Sequence, residues 1–188
     1  MAQQQPQDDN VMRRKLVIIG DGACGKTSLL SVFTLGYFPT HYSRWSVRSI
    51  GVVGYRWSRR LRATTSIGIF KAHVILIGFA VDTPDSLENV KHKWIVEANE
   101  RCPGVPIIMV GLKKDLREDS HAVEEMRKKS LRFVTPKEGS ETATQIGARK
   151  YLECSSLTGE GVDDVFEAAT RAALLTFDKR KGSCCIVL

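Results

Sequence analysis

The chain has 188 residues, 43% of them hydrophobic and 26% charged, with a formal net charge of +7. These values are typical of one globular domain and exclude a wholly disordered or collagen-like chain. No apolar run approaches the roughly 20 residues that span a bilayer, and the polar start of the sequence lacks the pattern of a secretory leader. The five cysteines do not suggest a disulfide framework, so we expect a reducing compartment.

The positive charge is concentrated in one part of the chain. Residues 22–81 contain eight Lys or Arg and no Asp or Glu, whereas basic and acidic residues nearly balance elsewhere. A local excess without a recognised nucleic-acid-binding motif does not favour DNA or RNA as a ligand. We therefore expect no nucleic-acid partner.

The predicted elements alternate between strands and helices. Strands are expected at 15–19, 74–81, 106–111 and 151–154, and helices over 28–33, from Thr83-Pro84 onward, over 124–129, from Thr135 and from Val162. This alternation predicts an α/β fold with a parallel sheet between two layers of helices. Residues 41–70 show no sustained period, and only 51–55 resembles a strand, so this segment stays unassigned.

A glycine-rich loop follows the first strand. Gly20-Asp-Gly-Ala-Cys-Gly-Lys-Thr27 matches the phosphate-loop pattern G-x-x-x-x-G-K-[ST] between a predicted strand and a predicted helix. Its backbone N–H groups and the helix N-terminus would hold a phosphate, Lys26 would reach the outer phosphates, and the Thr27 hydroxyl would hold Mg²⁺. The alternative is a chance glycine-rich turn, which the strand–loop–helix context disfavours.

A second motif lies where the strand at 106–111 ends. In Gly111-Leu-Lys-Lys-Asp-Leu116, a carboxylate could accept both N–H groups of a guanine edge, and a lysine stem could cover the ring. Taken alone, such a turn is more often a solvated loop. The phosphate loop upstream and Cys154-Ser-Ser-Leu157 downstream favour base binding instead.

These motifs together resemble the Rho family of small GTPases, in particular those of fungi. The resemblance rests on GDGACGKTSLL, HVILIGFAVDTPDSLENVKHKW, VGLKKDLRED, EEMRKKSLRFV, YLECSSLTGEGV and the terminal CCIVL, and it covers residues 12–40 and 71–188. It implies a three-layer Ras-like G domain with a mostly parallel central sheet, whose second and third strands are uncertain here. It also implies a GTP- and GDP-binding switch that uses Mg²⁺.

The resemblance implies a role for each matching residue. Phe38 would lie beside the guanine, Lys113 and Asp115 would bind it, and Ser156 with Leu157 would support it through the backbone. Leu112 replaces the usual Asn of the family. The implied nucleotide-binding residues are Gly20, Asp21, Gly22, Ala23, Cys24, Gly25, Lys26, Thr27, Phe38, Lys113, Asp115, Ser156 and Leu157, with Thr27 also binding the metal.

Two parts of the family pattern are missing from residues 43–70. The switch threonine that would bind Mg²⁺ falls at Trp45, and no Asp-Thr-Ala-Gly-Gln string occurs anywhere in the chain. No catalytic residue is therefore assigned. The abrupt loss of pattern favours a shifted reading frame or a misassigned exon over a divergent pseudo-GTPase. In either case the chain lacks the groups for hydrolysis. The alternative to an ordinary switch is a non-hydrolysing pseudo-GTPase, or the product of a frame-shifted or mis-spliced gene that binds nucleotide poorly.

The C-terminus has the pattern of a lipid anchor. Cys185-Ile-Val-Leu188 matches a C-a-a-X box whose final Leu favours geranylgeranylation, Cys184 could carry palmitate, and 179–181 is basic. The expected organisation is a flexible tail at 1–12, a G domain at 13–178 with a Rho-type insert at 119–134, and a lipidated tail at 179–188. By resemblance, we expect a plasma-membrane switch for actin, polarity and cell-wall machinery, with a cytosolic pool. Exchange factors, activating proteins, a dissociation inhibitor and effector kinases are the implied partners.

Overall fold

A computed structural model describes residues 14–36, 51–54 and 72–181 of the chain. Within these ranges, five strands alternate with six helices. The strands are β1 (Lys15–Gly20), β2 (Gly51–Gly54), β3 (Val74–Ala80), β4 (Ile107–Leu112) and β5 (Lys150–Cys154). The helices are α1 (Lys26–Leu35), α2 (Pro84–Asn89), α3 (Ile95–Arg101), α4 (Ser120–Lys128), α5 (Pro136–Gln145) and α6 (Val162–Lys181).

The strands form one sheet in the order β2-β1-β3-β4-β5. Every described pairing is parallel; for example, Leu16 pairs with Val74, and Ile75 pairs with Ile107. Parallel neighbours need crossover connections, and the helices supply them. The predicted α/β fold with a parallel central sheet is confirmed.

Two separate apolar clusters cover the two faces of the sheet. On β3, Val74, Leu76 and Ala80 face the cluster that contains side chains of α1 and α6. The alternate residues Ile75, Ile77 and Phe79 face the cluster that contains side chains of α2, α3 and α5. Because successive side chains of a strand point to opposite faces, a strand buried on both faces needs a continuous apolar sequence. All seven residues of β3 are accordingly buried.

Local sequence explains where several helices begin and end. Thr135 and Glu138 form the predicted capping box at the start of α5. Helix α4 begins earlier than expected, since the Asp119 side chain accepts a hydrogen bond from the His121 N–H and caps it. Helix α6 continues to Lys181, beyond the expected limit of the domain at residue 178.

A π-helical turn, Val90–Trp94, joins α2 to α3. Its signature is the bond from the Ile95 N–H to the Val90 carbonyl oxygen, five residues back. The apolar stripe through this region predicted one continuous α-helix, so the extra residue in the turn is a difference from expectation. Such turns are rare and are often found at functional sites.

In the unassigned segment 41–70, the described part is β2. It pairs parallel with β1, from Lys15 opposite Gly51 to Ile18 opposite Gly54. The rest of that segment lies outside the described residues.

Candidate functional site

The phosphate loop connects β1 directly to α1. Gly20 has a φ of 143°, and a Cβ at this position would lie 2.1 Å from the Gly78 carbonyl oxygen. Only glycine allows β1 to approach β3 so closely at this point. Gly25, with a φ of 104°, then occupies the N-cap of α1. The loop therefore ends at a helix N-terminus, where free N–H groups and the helix dipole favour an anion.

Lys26 is folded into the loop. Its side chain is buried, and its Nζ donates to the Asp21 carbonyl oxygen at 2.5 Å and lies 3.5 Å from the Cys24 Sγ. Burial raises the pKa of the Cys24 thiol more than the neighbouring ammonium lowers it. The thiol is therefore protonated at neutral pH, and the Lys26 Nζ lies between it and the Asp21 carbonyl oxygen.

A second group of polar side chains lies where β3 and β4 end. The Lys113 Nζ lies 3.2 Å from an Asp82 carboxylate oxygen, and Lys113 itself has a left-handed φ of 62°. Asp115 follows in a 3-10 turn, Lys114–Arg117, with its side chain partly exposed. The carboxyl ends of parallel strands are the usual ligand-binding edge of such a sheet.

The loop after β5 approaches the same edge. Ser155 is fully buried; its Oγ accepts a hydrogen bond from the Thr158 N–H at 3.1 Å, and its own N–H donates to the Glu160 carbonyl oxygen at 2.9 Å. The Lys114 ammonium forms an ion pair with the Glu160 carboxylate, which connects this loop to the 3-10 turn. Leu157 projects from the loop and is 62% exposed.

These three segments enclose a cleft of about 220 Å³. Its lining comes from the phosphate loop with the start of α1, the end of β4 with the following turn, and the loop after β5. The lining residues are Ala23, Gly25, Ser28, Leu112, Lys113, Asp115, Leu116, Ser156 and Leu157. Residues predicted from three distant sequence motifs thus lie around one cleft.

A partly buried polar network surrounds the Arg117 side chain. The Arg117 guanidinium donates to both carboxylate oxygens of Glu153, at 2.5 and 2.9 Å, and twice to the Val134 carbonyl oxygen. The Tyr151 hydroxyl donates to the same carboxylate. Burial alone would raise the pKa of Glu153, but the bonds from Arg117 and Tyr151 outweigh it and hold that pKa below its ordinary value. The network joins β5 to the 3-10 turn that contains Asp115.

Some predicted site residues have a different status. Thr27 is exposed at the start of α1, beside the buried Lys26. Phe38, Trp45, Cys184 and Cys185 lie outside the described residues. Sequence reasoning did not identify Asp82 as the partner of Lys113, although its position directly after a buried strand was an available signal. It also missed two side chains that bind Asp21, namely Asn89 and Trp94.

A family model described as the Ras family matches residues 15–51 and 58–175. The chain belongs to the Ras family. The break in the match falls within the segment 43–70 that lacks the family motifs. No helix in the described part of the chain is both long enough and apolar enough to cross a membrane.

Curated relatives from fungi match over most or all of their length. The "GTP-binding protein rho2" of Schizosaccharomyces pombe is 53% identical, with all of both chains covered. The "GTP-binding protein RHO2" of Saccharomyces cerevisiae is 47% identical over 96% of this chain and 99% of its own length. The "GTP-binding protein RHO1" of the same yeast is 47% identical over 92% of this chain and 89% of its own length. The alignment with rho2 extends over 207 positions, so part of that relative has no counterpart among the 188 residues here.

Proposed function

We propose that this protein is a Rho-type molecular switch that binds GTP and GDP in the cleft described above. The observation that supports this most directly is that Ala23 and Gly25 of the phosphate loop line the same cleft as Asp115. The phosphate loop would offer backbone N–H groups and the Lys26 ammonium to phosphates, and the turn after β4 would offer the Asp115 carboxylate to a base. The fungal relatives, all named as GTP-binding proteins, agree with this assignment.

The phosphate loop and the turn after β4 would have distinct parts in binding. Residues 20–27 would surround the phosphates, with Lys26 turned from the Asp21 carbonyl toward the outer phosphate oxygens. The Asp115 carboxylate would accept two N–H bonds from guanine, a pattern that adenine cannot supply. Leu112 and Leu157 add apolar surface beside the base.

The described residues fit Mg²⁺ as the accompanying ion. This ion takes few protein ligands, and it keeps waters and phosphate oxygens for its other positions. The exposed Thr27 hydroxyl at the end of the phosphate loop would supply one such oxygen ligand. When bound, Mg²⁺ would neutralise charge on the outer phosphates.

Weak GTP hydrolysis is part of the proposal. Phosphoryl transfer depends on a positioned water. The chain lacks the Asp-Thr-Ala-Gly-Gln string, and position 45, where the family pattern has the switch threonine, is a tryptophan. The fungal relatives are named as GTP-binding proteins, which does not favour a pseudo-GTPase. A direct measurement of GTP hydrolysis tests this part of the proposal. We expect single-turnover hydrolysis slower than that of an intact Rho protein, with little stimulation by an activating protein. Robust stimulated turnover would show that residues 41–70 do provide this chemistry.

The proposal extends to the location of the switch. Cys185 with Cys184 and the basic residues 179–181 would anchor it to the cytoplasmic face of the plasma membrane, with a cytosolic pool bound to a dissociation inhibitor. Exchange factors, activating proteins and effector kinases would act on a G domain at 13–178 that carries a Rho-type insert at 119–134. The tails at 1–12 and 179–188 would lie outside that domain.

Competition binding with a fluorescent guanine nucleotide tests the base assignment. Asp115→Ala should weaken GDP binding by at least about 150-fold, because two bonds to a charged acceptor are lost and each is worth about 1.5–3 kcal/mol, and it should leave ADP binding unchanged. Asp115→Asn should favour xanthine nucleotides, because its amide offers one donor and one acceptor. Glu118→Ala, which removes an exposed carboxylate three residues away, is the matched control. Equal losses for GDP and ADP in Asp115→Ala would contradict the proposal.

A further inference from the structure

The Asp21 carboxylate of the phosphate loop is held from outside the loop. The Asn89 Nδ2 donates to its Oδ2 at 2.6 Å, and the Trp94 Nε1 donates to its Oδ1 at 2.8 Å. Each carboxylate oxygen thus has a donor of its own. Trp94 is only 3% exposed, so its N–H bond is sheltered from water.

The π-helical turn is what brings the two donors together. In a regular α-helix, residues five apart are rotated by about 140° from each other, so Asn89 and Trp94 would lie on different faces. The turn over Val90–Trp94 accommodates one additional residue, as the bond from the Ile95 N–H to the Val90 carbonyl shows. Residues five apart then lie on one face, as residues four apart do in an α-helix. A rare local conformation therefore coincides with a contact to the phosphate loop.

This contact has a direct consequence for an anion in the loop. A carboxylate one residue after Gly20 would repel a bound phosphate if it turned toward it. The two donors fix the carboxylate toward the π-helical turn, while Lys26 binds the carbonyl oxygen of the same residue. Asp21 is thereby held through its backbone and its side chain, and the shape of the loop is set before a ligand arrives.

We propose that Asn89 and Trp94 are positioning residues that hold Asp21 and thereby set the affinity of the phosphate loop for the β-phosphate of a nucleotide. This inference rests on the proposed function. It predicts that loss of either donor weakens GDP binding selectively relative to GMP, which lacks the β-phosphate that the loop lysine reaches. A role in folding alone would not change the ratio of the two affinities.

The test compares GDP and GMP binding by Trp94→Phe and Asn89→Ala with the intact chain. Trp94→Phe keeps a buried aromatic ring but removes the N–H donor, and Asn89→Ala changes a partly exposed helical position. Each should lower GDP affinity about tenfold and GMP affinity less than twofold, as expected for one lost bond to a charged group. Ile95→Val, a buried change directly after Trp94 that removes no side-chain donor, is the matched control. In an Asp21→Ala background, Trp94→Phe should have no further effect on GDP.

A spectroscopic signature tests the contact without nucleotide. The chain has three tryptophans, and Trp94→Phe identifies the indole N–H resonance of Trp94. That resonance should move upfield in Asp21→Ala and stay in place in Ile95→Val. If the intact chain binds GDP and ADP equally, the assignment of Asp115 to guanine fails. The ratio of GDP affinity to GMP affinity still tests whether Asn89 and Trp94 position the phosphate loop. If the intact chain selects guanine but the ratio is unchanged in Asn89→Ala and Trp94→Phe, the positioning role is overturned. Should Trp94→Phe fail to fold, Asn89→Ala alone decides.

Discussion

The Arg117 guanidinium is the main link between β5 and the turn that contains Asp115. In Arg117→Met the aliphatic stem remains, but all four bonds to Glu153 and Val134 are lost. The Glu153 side chain, only 14% exposed, keeps Tyr151 as its donor. Removing one partner of a buried ion pair costs about 3–5 kcal/mol, and the 22% exposure of Arg117 places this pair near the lower limit. We expect Arg117→Met to lower the free energy of unfolding by about 3 kcal/mol at pH 7.

The difference in unfolding free energy between the intact protein and Arg117→Met should become smaller as the pH falls. In the intact protein the pKa of Glu153 lies below its ordinary value of 4.5, so its ionised form stabilises the fold above that pH and the contribution falls as pH decreases. In Arg117→Met the lowering by Arg117 is removed, so we expect burial, the largest single influence on this carboxyl, to raise the pKa of Glu153 above its unfolded value. The variant then regains stability as the carboxylate is protonated. The difference in stability should therefore narrow between pH 7 and pH 5.

Urea unfolding at both pH values, at one fixed GDP concentration, measures this difference. Arg117→Met/Glu153→Gln removes the buried charge but leaves an amide oxygen for Tyr151, so it should be more stable at pH 7 than Arg117→Met. Arg171→Met is the control, because the Arg171–Glu167 pair is exposed and surface pairs contribute about 0–1 kcal/mol. A loss in Arg117→Met no larger than in Arg171→Met, or one that does not narrow at pH 5, would refute this account of the network.

Three further predictions concern other parts of the chain. Gly139→Ala should lower the thermal midpoint and reduce the free energy of unfolding by about 1–3 kcal/mol, because a Cβ there would lie 2.2 Å from the Tyr151 ring. Ser140→Ala, at an exposed position, should leave the thermal midpoint unchanged. Arg132, together with the N–H and hydroxyl of Thr135, holds the pKa of Glu138 at about 2, so an NMR titration should show Glu138 ionised down to that pH, and Arg132→Gln should raise this pKa part of the way toward its ordinary value. Cys185→Ser should move the protein from the membrane to the soluble fraction on cell fractionation, because palmitate at Cys184 alone is a single anchor; unchanged partition would contradict the lipid-anchor proposal.

Sequence reasoning predicted the elements whose signals are local. The apolar run of β1, the phosphate loop and the Thr135–Glu138 capping box each depend on residues close in the chain, and all were placed correctly. The four-residue strand β2 was not assigned, since Gly51-Val-Val-Gly54 is too short to show a period. The π-helical turn was not predicted either, because the stripe from Leu87 to Ala98 also fits an ordinary α-helix.

The contacts that shape the cleft depend on distant residues. Asp21 binds Asn89 and Trp94, and Lys113 binds Asp82, through pairings that only the folded chain creates. Motif spacing predicts which residues lie near a ligand. It contains no information on the distant side chains that hydrogen-bond to those residues and hold them in position. The lining of the cleft was therefore largely predictable from sequence, and its support was not.

The sheet order has a consequence for how the chain folds. Since every described strand pair is parallel, no two neighbours can form as a local hairpin, and β3 must find both β1 and β4 across long stretches of sequence. Closing such loops costs entropy before any contact repays it, so folding should be slow for a domain of this size. Substitutions in β3 should mainly slow folding, whereas substitutions in the edge strand β5 should mainly accelerate unfolding. The order in which the strands pair therefore depends mainly on β3, the central strand of the sheet, and the cleft can form only after β3 has paired with its neighbours.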